Sequence, residues 1–222
     1  STRGVSVRIG IAIMAVPSRE RAATALHEAI PGSLVSYDCD QQGPWVGFKQ
    51  AYAMLSEARP DTTHRLVIQD DVILCPNFVE VLERVVRVRP TSPLCLFTAR
   101  QSDYDAADAK GVHLLASKHC DGQAVLFPVY LAQRAFDWIA HREGTAIAER
   151  QTWRNSSDQR LDTWSRMTYT PFLYTVPTLV DHDLTLKSTL RHPSRTRFGL
   201  RNSKRFAGED ALTIDWGRLP QK

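Results

Sequence analysis

The sequence predicts an α/β sandwich with a largely parallel sheet, and three observations carry that expectation. Apolar runs of strand length alternate with stretches of helical periodicity, giving a βαβα order through the first hundred residues. A hydrophobic fraction of 43% with 23% charged residues suits a packed globular core. The 222 residues contain no internal repeat and no low-complexity segment, which sets solenoids and fibrous classes aside.

Taken in order, Val5 to Val16 reads as a long apolar strand. "PSRERAATALHEAI" follows as a helix with Ala22, Ala25, Leu26 and Ala29 on one face. Ser33 to Tyr37 is a short second strand, and "WVGFKQAYAMLSEA" sets Val46, Phe48, Ala51, Tyr52 and Leu55 at near-helical spacing. Arg65 to Gln69 is the next strand. The helix after it opens with Pro76 at its first position and buries Val79, Leu82, Val85 and Val86. Leu94 to Ala99 reads as another strand, with a soft subdomain boundary near residue 100.

In the second half "DGQAVLFP" is an apolar strand. The helix "VYLAQRAFDWIAHRE" turns Leu131, Ala135, Trp138 and Ile139 inward, with Gly144 past its end. In "NSSDQRLDTWSRM", Ser156 and Gln159 have capping-box spacing, which holds a helix start by about 1 kcal/mol. "LYTVPTLVDHD" is read as one late strand.

Several classes are set aside by composition. No apolar run reaches the roughly 20 residues of a membrane helix. The opening stretch "STRGVSVRIG" lacks the layout of a signal peptide. Cys39, Cys75, Cys95 and Cys120 stand far apart with no CxxC pair, which argues against a zinc site or disulfide framework and favours a reducing, cytoplasmic compartment. The formal charge is +4, and it is unevenly spread. No acidic residue lies between Asp183 and Glu209, where Lys187, Arg191, Arg195, Arg197, Arg201, Lys204 and Arg205 fall. That segment is either a solvated basic tail or a surface for phosphate.

The strongest chemical signal is "HRLVIQDDVILCPNF", where Asp70 and Asp71 follow directly on an apolar strand. Open parallel sheets bind ligands beyond the carboxyl ends of their strands. Adjacent carboxylates in a partly buried place repel one another unless a cation is near, and Mg²⁺ or Mn²⁺ holds one or two carboxylates together with substrate phosphates. The plainer alternative is a helix cap or a surface turn.

This stretch resembles the metal-binding segment of the GT-A glycosyltransferases, in which an apolar strand ends in a DxD-type motif. One variant of that motif reads Glu-Asp-Asp, an apolar residue, then Pro-Asp-Phe. Asp70, Asp71, Pro76 and Phe78 match it, Asn77 replaces its aspartate, and Gln69 departs from its glutamate. The resemblance runs from about residue 7 to 190. It implies a single three-layer α/β/α domain with a mainly parallel, mixed sheet. Residues from about 5 to 100 would form the nucleotide-sugar half and from about 101 to 190 the acceptor half, with 191–222 a basic C-terminal segment.

The resemblance also implies roles. Asp71 would touch the metal, and Asp70 would support the nucleotide's ribose or the loop. "AIMAVPSRER" is similar to the loop that receives the nucleotide, with Pro17 and Ser18 opening a helix and Arg19 or Arg21 facing the diphosphate. "YDCDQQGPWVGFKQA" resembles the second nucleotide-contacting loop, through Asp38 or Asp40, while Trp45 is equally a core residue. "PTLVDHD" resembles the strand-end histidine that serves as a second metal or diphosphate ligand, here His182, with Lys187 and Ser188 beside the diphosphate. An inverting transfer needs a base for the acceptor hydroxyl, and "NSSDQRLD" offers Asp158 at a helix start and Asp162 one turn on. For Asp158 the alternative is a helix-dipole role.

The expected function is therefore transfer of a sugar from a nucleoside-diphosphate sugar, a UDP-sugar by family frequency, with Mn²⁺ or Mg²⁺. Residues 186–206 intersperse basic side chains with His192, Phe198 and Phe206, a composition suited to a nucleic-acid backbone. One acceptor is hydroxymethylated bases of DNA, as for a virus-encoded enzyme acting in the host cytoplasm. A glycan or protein acceptor in surface-polysaccharide synthesis is the rival. A non-catalytic nucleic-acid binder would need only the basic segment. A nucleotidyltransferase should carry a Gly-rich loop after its first strand, and "AVPSRER" has no glycine.

Overall fold

The computed structural model describes residues 6–143, 156–186 and 202–220. The apolar run Ile9–Ala15 forms β1, which pairs in parallel with β2 (Leu34–Tyr37) on one side and β3 (His64–Gln69) on the other. Antiparallel to β3 lies β7 (Ala124–Pro128), followed by β5 (Leu94–Cys95), β8 (Phe172–Thr175) and β6 (Leu114–Ser117). The order is β2-β1-β3-β7-β5-β8-β6, with only β7 and β6 running against the other five strands. The sheet is thus mixed and mainly of one direction.

Helices cover both faces. On one, α1 (Glu20–Ala29), α3 (Phe78–Val88) and residues around Trp216 pack over alternate strand residues such as Ile13, Leu66, Ile68 and Leu126. On the other, α2 (Pro44–Ala58), α4 (Gln101–Lys110), α5 (Val129–Ala140) and α6 (Ser157–Thr168) pack over Ala12, Val67, Val125 and Tyr174. The period-2 alternation of each strand feeds both cores, giving three layers. Trp164 of α6 is 2% exposed and meets Phe127 and Phe172 at ring-centroid distances of 5.7 and 5.9 Å. Trp164→Ala is expected to cost about 3–5 kcal/mol in urea denaturation, because the cavity cannot collapse against the sheet.

A second, two-stranded sheet stands apart. β4 (Val72–Leu74) pairs antiparallel with β9 (Val180–His182), with Val72 opposite His182. The stretch read as one late strand is in fact two, β8 and β9, divided at Pro177, which has no N–H to continue a ladder.

Other expectations change in detail. In α1 the inward residues are Ala23 and Leu26, continued by Ile30, while Ala25 and Ala29 are exposed. The larger side chains at i and i+4 set the buried face, and the alanines follow it. Pro76 lies outside α3, whose N-cap is Asn77 in the left-handed region (φ 55), and Phe78 and Val81 go inward instead of Val79, which is exposed. The strand expected over 94–99 keeps ladder geometry only at Leu94–Cys95, and α4 and β6 follow it. Trp138 is half-buried beneath the Arg142 guanidinium, 3.7 Å from the ring centroid. Only one half of the capping box forms: Ser156 Oγ accepts from Gln159 N at 3.3 Å, and Gln159 Oε1 has no hydrogen-bond partner. Residue 100 marks no break in the sheet, since β5 lies between β7 and β8 of the second half. Gly144 falls outside the described residues.

Candidate functional site

The carboxyl end of β3 lies beside the carboxyl end of β1, and the chain turns there. Asp70 N–H donates to Met14 O at 3.1 Å, and Val16 N–H donates to Asp70 Oδ2 at 3.0 Å. Asp70 is thereby a bracket that fixes the exit of β1. Its other oxygen accepts from Arg19 Nη1 at 2.6 Å. The same Nη1 lies 2.9 Å from Asp71 Oδ2. The side chains of Arg19, Asp70 and Asp71 are 9%, 6% and 12% exposed, so a guanidinium sits between two carboxylates in a nearly closed place. Arg19 is carried there by a 3-10 turn, Pro17–Arg19, whose proline presets the first position.

Burial pushes the Asp70 carboxyl above its ordinary value, opposed by the Arg19 hydrogen bond. Burial works against the charged form of Arg19, but the hydrogen bonds and charges of Asp70 and Asp71 outweigh it and raise its pKa. The like-charge conflict that the sequence poses is met by Arg19. The sequence offered Arg19 or Arg21 to face a diphosphate.

Asp71 is held differently. Its backbone O accepts from Asp183 N–H at 2.8 Å, which seats the end of β9 against it. His182 Nε2 stands 3.5 Å from Asp71 Oδ2. The ring of His182 faces Phe97 at 6.0 Å between centroids. Asp71 Oδ1 is buried and has no hydrogen-bond partner. A buried carboxylate oxygen without a donor costs on the order of 1–3 kcal/mol, more for a charged group. Among the described residues no group of three or more His, Cys, Asp or Glu is arranged to hold a metal ion. Asp71 and His182 supply two donors, a set that fits a divalent cation completed by diphosphate oxygens.

Gln69, the departure from the motif, has a structural task. Its backbone N–H donates to Gln123 O at 2.8 Å and its side-chain Nε2 to Gly122 O at 3.1 Å. This ties the strand end to the start of β7, and Gly122 in turn touches α6. A methyl group on Gly122 would stand 2.0 Å from Asp158 Oδ1 and 3.1 Å from Ser157 Oγ. Asp158, in the first turn of α6, therefore rests against the loop that Gln69 fixes.

Asp162 is occupied otherwise. It accepts from Cys120 N–H, and its Oδ2 lies 3.3 Å from His119 Nδ1. This makes it an anchor of the 118–122 loop, and burial pushes its carboxyl up. The sequence reading missed Asp121, which lies on the same loop. Its oxygens face Arg100 Nη2 and the Tyr174 hydroxyl, each at 3.3 Å, and burial raises its pKa against the Arg100 charge. The Asp-Gly dipeptide 121–122 was the available signal for a turn here.

A raised carboxyl holds its proton more tightly folded than unfolded. Its contribution favours the fold at low pH and is lost as pH rises through the raised value. In urea denaturation Asp121→Asn is therefore expected to gain on the wild type from pH 4 to pH 7. A difference independent of pH, or of opposite slope, would contradict the burial of this charge.

The remaining candidates divide plainly. Asp38 is buried, and its oxygens accept from Gln42 N–H and Gly43 N–H at 2.9 and 3.0 Å, which shapes the loop into α2. Asp40, Pro17, Ser18 and Arg21 are exposed. Trp45 is core, 3% exposed and stacked on Phe48. Lys204 is exposed, and Arg205 is committed to Asp108 through two bonds of 2.7 and 2.6 Å. Lys187, Ser188, Arg191, Arg195, Arg197 and Arg201 lie outside the described residues. Among the described residues no helix is long and apolar enough to cross a membrane.

No family model matches the chain, and no curated protein matches it.

Proposed function

We propose that this chain transfers a sugar from a nucleoside-diphosphate sugar, a UDP-sugar in the first instance, to an acceptor hydroxyl, with Mg²⁺ or Mn²⁺ at Asp71 and His182. The observation that carries this reading is the Asp71 carboxylate at the carboxyl end of the β1–β3 pair, with Oδ1 buried and unpartnered and Oδ2 3.5 Å from His182 Nε2. A bound divalent ion would supply charge neutralisation of the departing diphosphate.

The chain's own residues do the rest. Asp70 holds the β1 exit, and with it the loop proposed to receive the nucleotide. Asp158, at the N-terminus of α6, takes the acceptor's proton, and Gln69 with Gly122 sets its position. Gly122→Ala is expected to displace the Asp158 carboxylate and lower turnover by about 10²-fold or more, with little change in the urea midpoint. Unchanged turnover in that variant would remove Asp158 from this role.

For the acceptor, the composition of the 186–206 segment supports a polyanion, with hydroxymethylated bases of DNA as the proposed substrate. Such a base would have to be extruded from the duplex. The Arg205–Asp108 pair takes one cation out of that count, which favours the glycan or protein alternative to the extent that the segment is neutralised.

The test is a screen of nucleotide sugars with Mn²⁺, reading nucleoside diphosphate release with hydroxymethylated DNA and with simple glycosides. Release stimulated by the DNA supports the whole reading, and release stimulated only by glycosides supports the transferase without the DNA acceptor. Release from none, with metal present, would overturn the transferase.

A further inference from the structure

We infer that Arg19 and the divalent cation are alternative occupants of one carboxylate pair, so that metal binding requires Arg19 to leave Asp71. This rests on the metal reading of Asp71 given above and concerns how that site is controlled. The guanidinium Nη1 lies 2.9 Å from Asp71 Oδ2 and 2.6 Å from Asp70 Oδ1. Asp71 Oδ2 is also the oxygen nearest His182 Nε2, at 3.5 Å. An ion bound between Asp71 and His182 at the roughly 2.0–2.2 Å of a Mg²⁺ or Mn²⁺ ligand would share this oxygen with a guanidinium already in contact with it. Two cations at that range in a nearly dry site repel strongly. Asp71 Oδ1, buried and unpartnered, is where the pair with Arg19 leaves the carboxylate incompletely satisfied.

The two carboxylates do not release Arg19 equally. Asp70 is clamped by Val16 N–H and by its own N–H to Met14 O, so it keeps its place whichever cation is present. Among the described residues no backbone N–H clamps the Asp71 carboxylate in this way, and its backbone O accepts from Asp183 N–H. Arg19 is also the last residue of a 3-10 turn and the N-cap of α1. Without metal, Arg19 stabilises the pair; with metal, its guanidinium turns from Asp71 toward the anion that the ion brings, a diphosphate. The site thus selects a ligand that arrives as a metal–diphosphate pair over either component alone.

The test uses the full chain and Mn²⁺ alone, followed by electron paramagnetic resonance of free ion. Arg19→Met is expected to bind Mn²⁺ at least about tenfold more tightly than the wild type, since the competing charge is gone. In the wild type, phenylglyoxal modification of Arg19, read by peptide mass, should accelerate when Mg²⁺ is added and should not in Asp71→Asn. The second measurement stands if Arg19→Met fails to fold. Equal Mn²⁺ affinity in wild type and Arg19→Met, or labelling of Arg19 indifferent to Mg²⁺ in a protein that binds it, overturns the exchange and leaves the metal site intact. Absence of Mn²⁺ binding in both proteins overturns the metal reading itself, and the exchange with it.

Discussion

Asp71→Asn is expected to lower metal-dependent release of nucleoside diphosphate by about 10²–10³-fold, the range seen when one group stabilising developing charge is removed. Asparagine keeps the size of the side chain and one acceptor oxygen but loses the charge. The backbone carbonyl of residue 71 still accepts from Asp183 N–H, so the β4–β9 ribbon has no reason to move. Arg19 retains Asp70 at 2.6 Å. The variant should therefore fold with nearly the urea midpoint of the wild type. Loss of activity together with loss of the fold would instead mark Asp71 as a structural partner of Arg19.

Arg19→Met should have the larger effect on stability. Removing the cation from between two carboxylates that are 6% and 12% exposed leaves uncompensated buried charge, expected to cost about 3–5 kcal/mol at pH 7 without metal. The cost has a direction with pH. Asp70 already holds its proton above the usual carboxylate range because of burial, and loss of Arg19 removes the main opposing influence. Protonation then relieves the repulsion, so the gap between variant and wild type should narrow as pH falls. Saturating Mg²⁺ should narrow it as well, because a ligand that binds only the folded state adds stability in proportion to its excess over Kd. Thermal unfolding with and without Mg²⁺ at two pH values measures both effects. A variant as stable as the wild type at neutral pH would mean that water already screens the pair.

Much of the frame was legible because the central strands carry apolar runs buried on both faces, as in 66–68 and 124–127. The strand-end aspartates were legible for the same reason: two charges closing a buried run stand out. What escaped was information that only pairing supplies. Nothing local marks β7 as antiparallel, since residues buried on both faces look alike in either direction. Nothing in "PTLVDHD" says that a proline sends its second half to a different sheet and places His182 opposite Val72. Arg19 was seen as a cation near the site, but its partner lies 51 residues away and is fixed by the β1–β3 register. Asp162 was read by its spacing from Asp158, and the structure spends its carboxylate on the Cys120 N–H. Asp121 was passed over because it stood inside an apolar stretch taken as a strand.

Calorimetric titration with UDP, with and without Mn²⁺, in the wild type and in Asp71→Asn tests the central claim most directly. The account predicts that Mn²⁺ tightens UDP binding at least about tenfold in the wild type and has no such effect in the variant. UDP binding that ignores both Mn²⁺ and the Asp71 charge, or no binding of UDP under any condition, would contradict it.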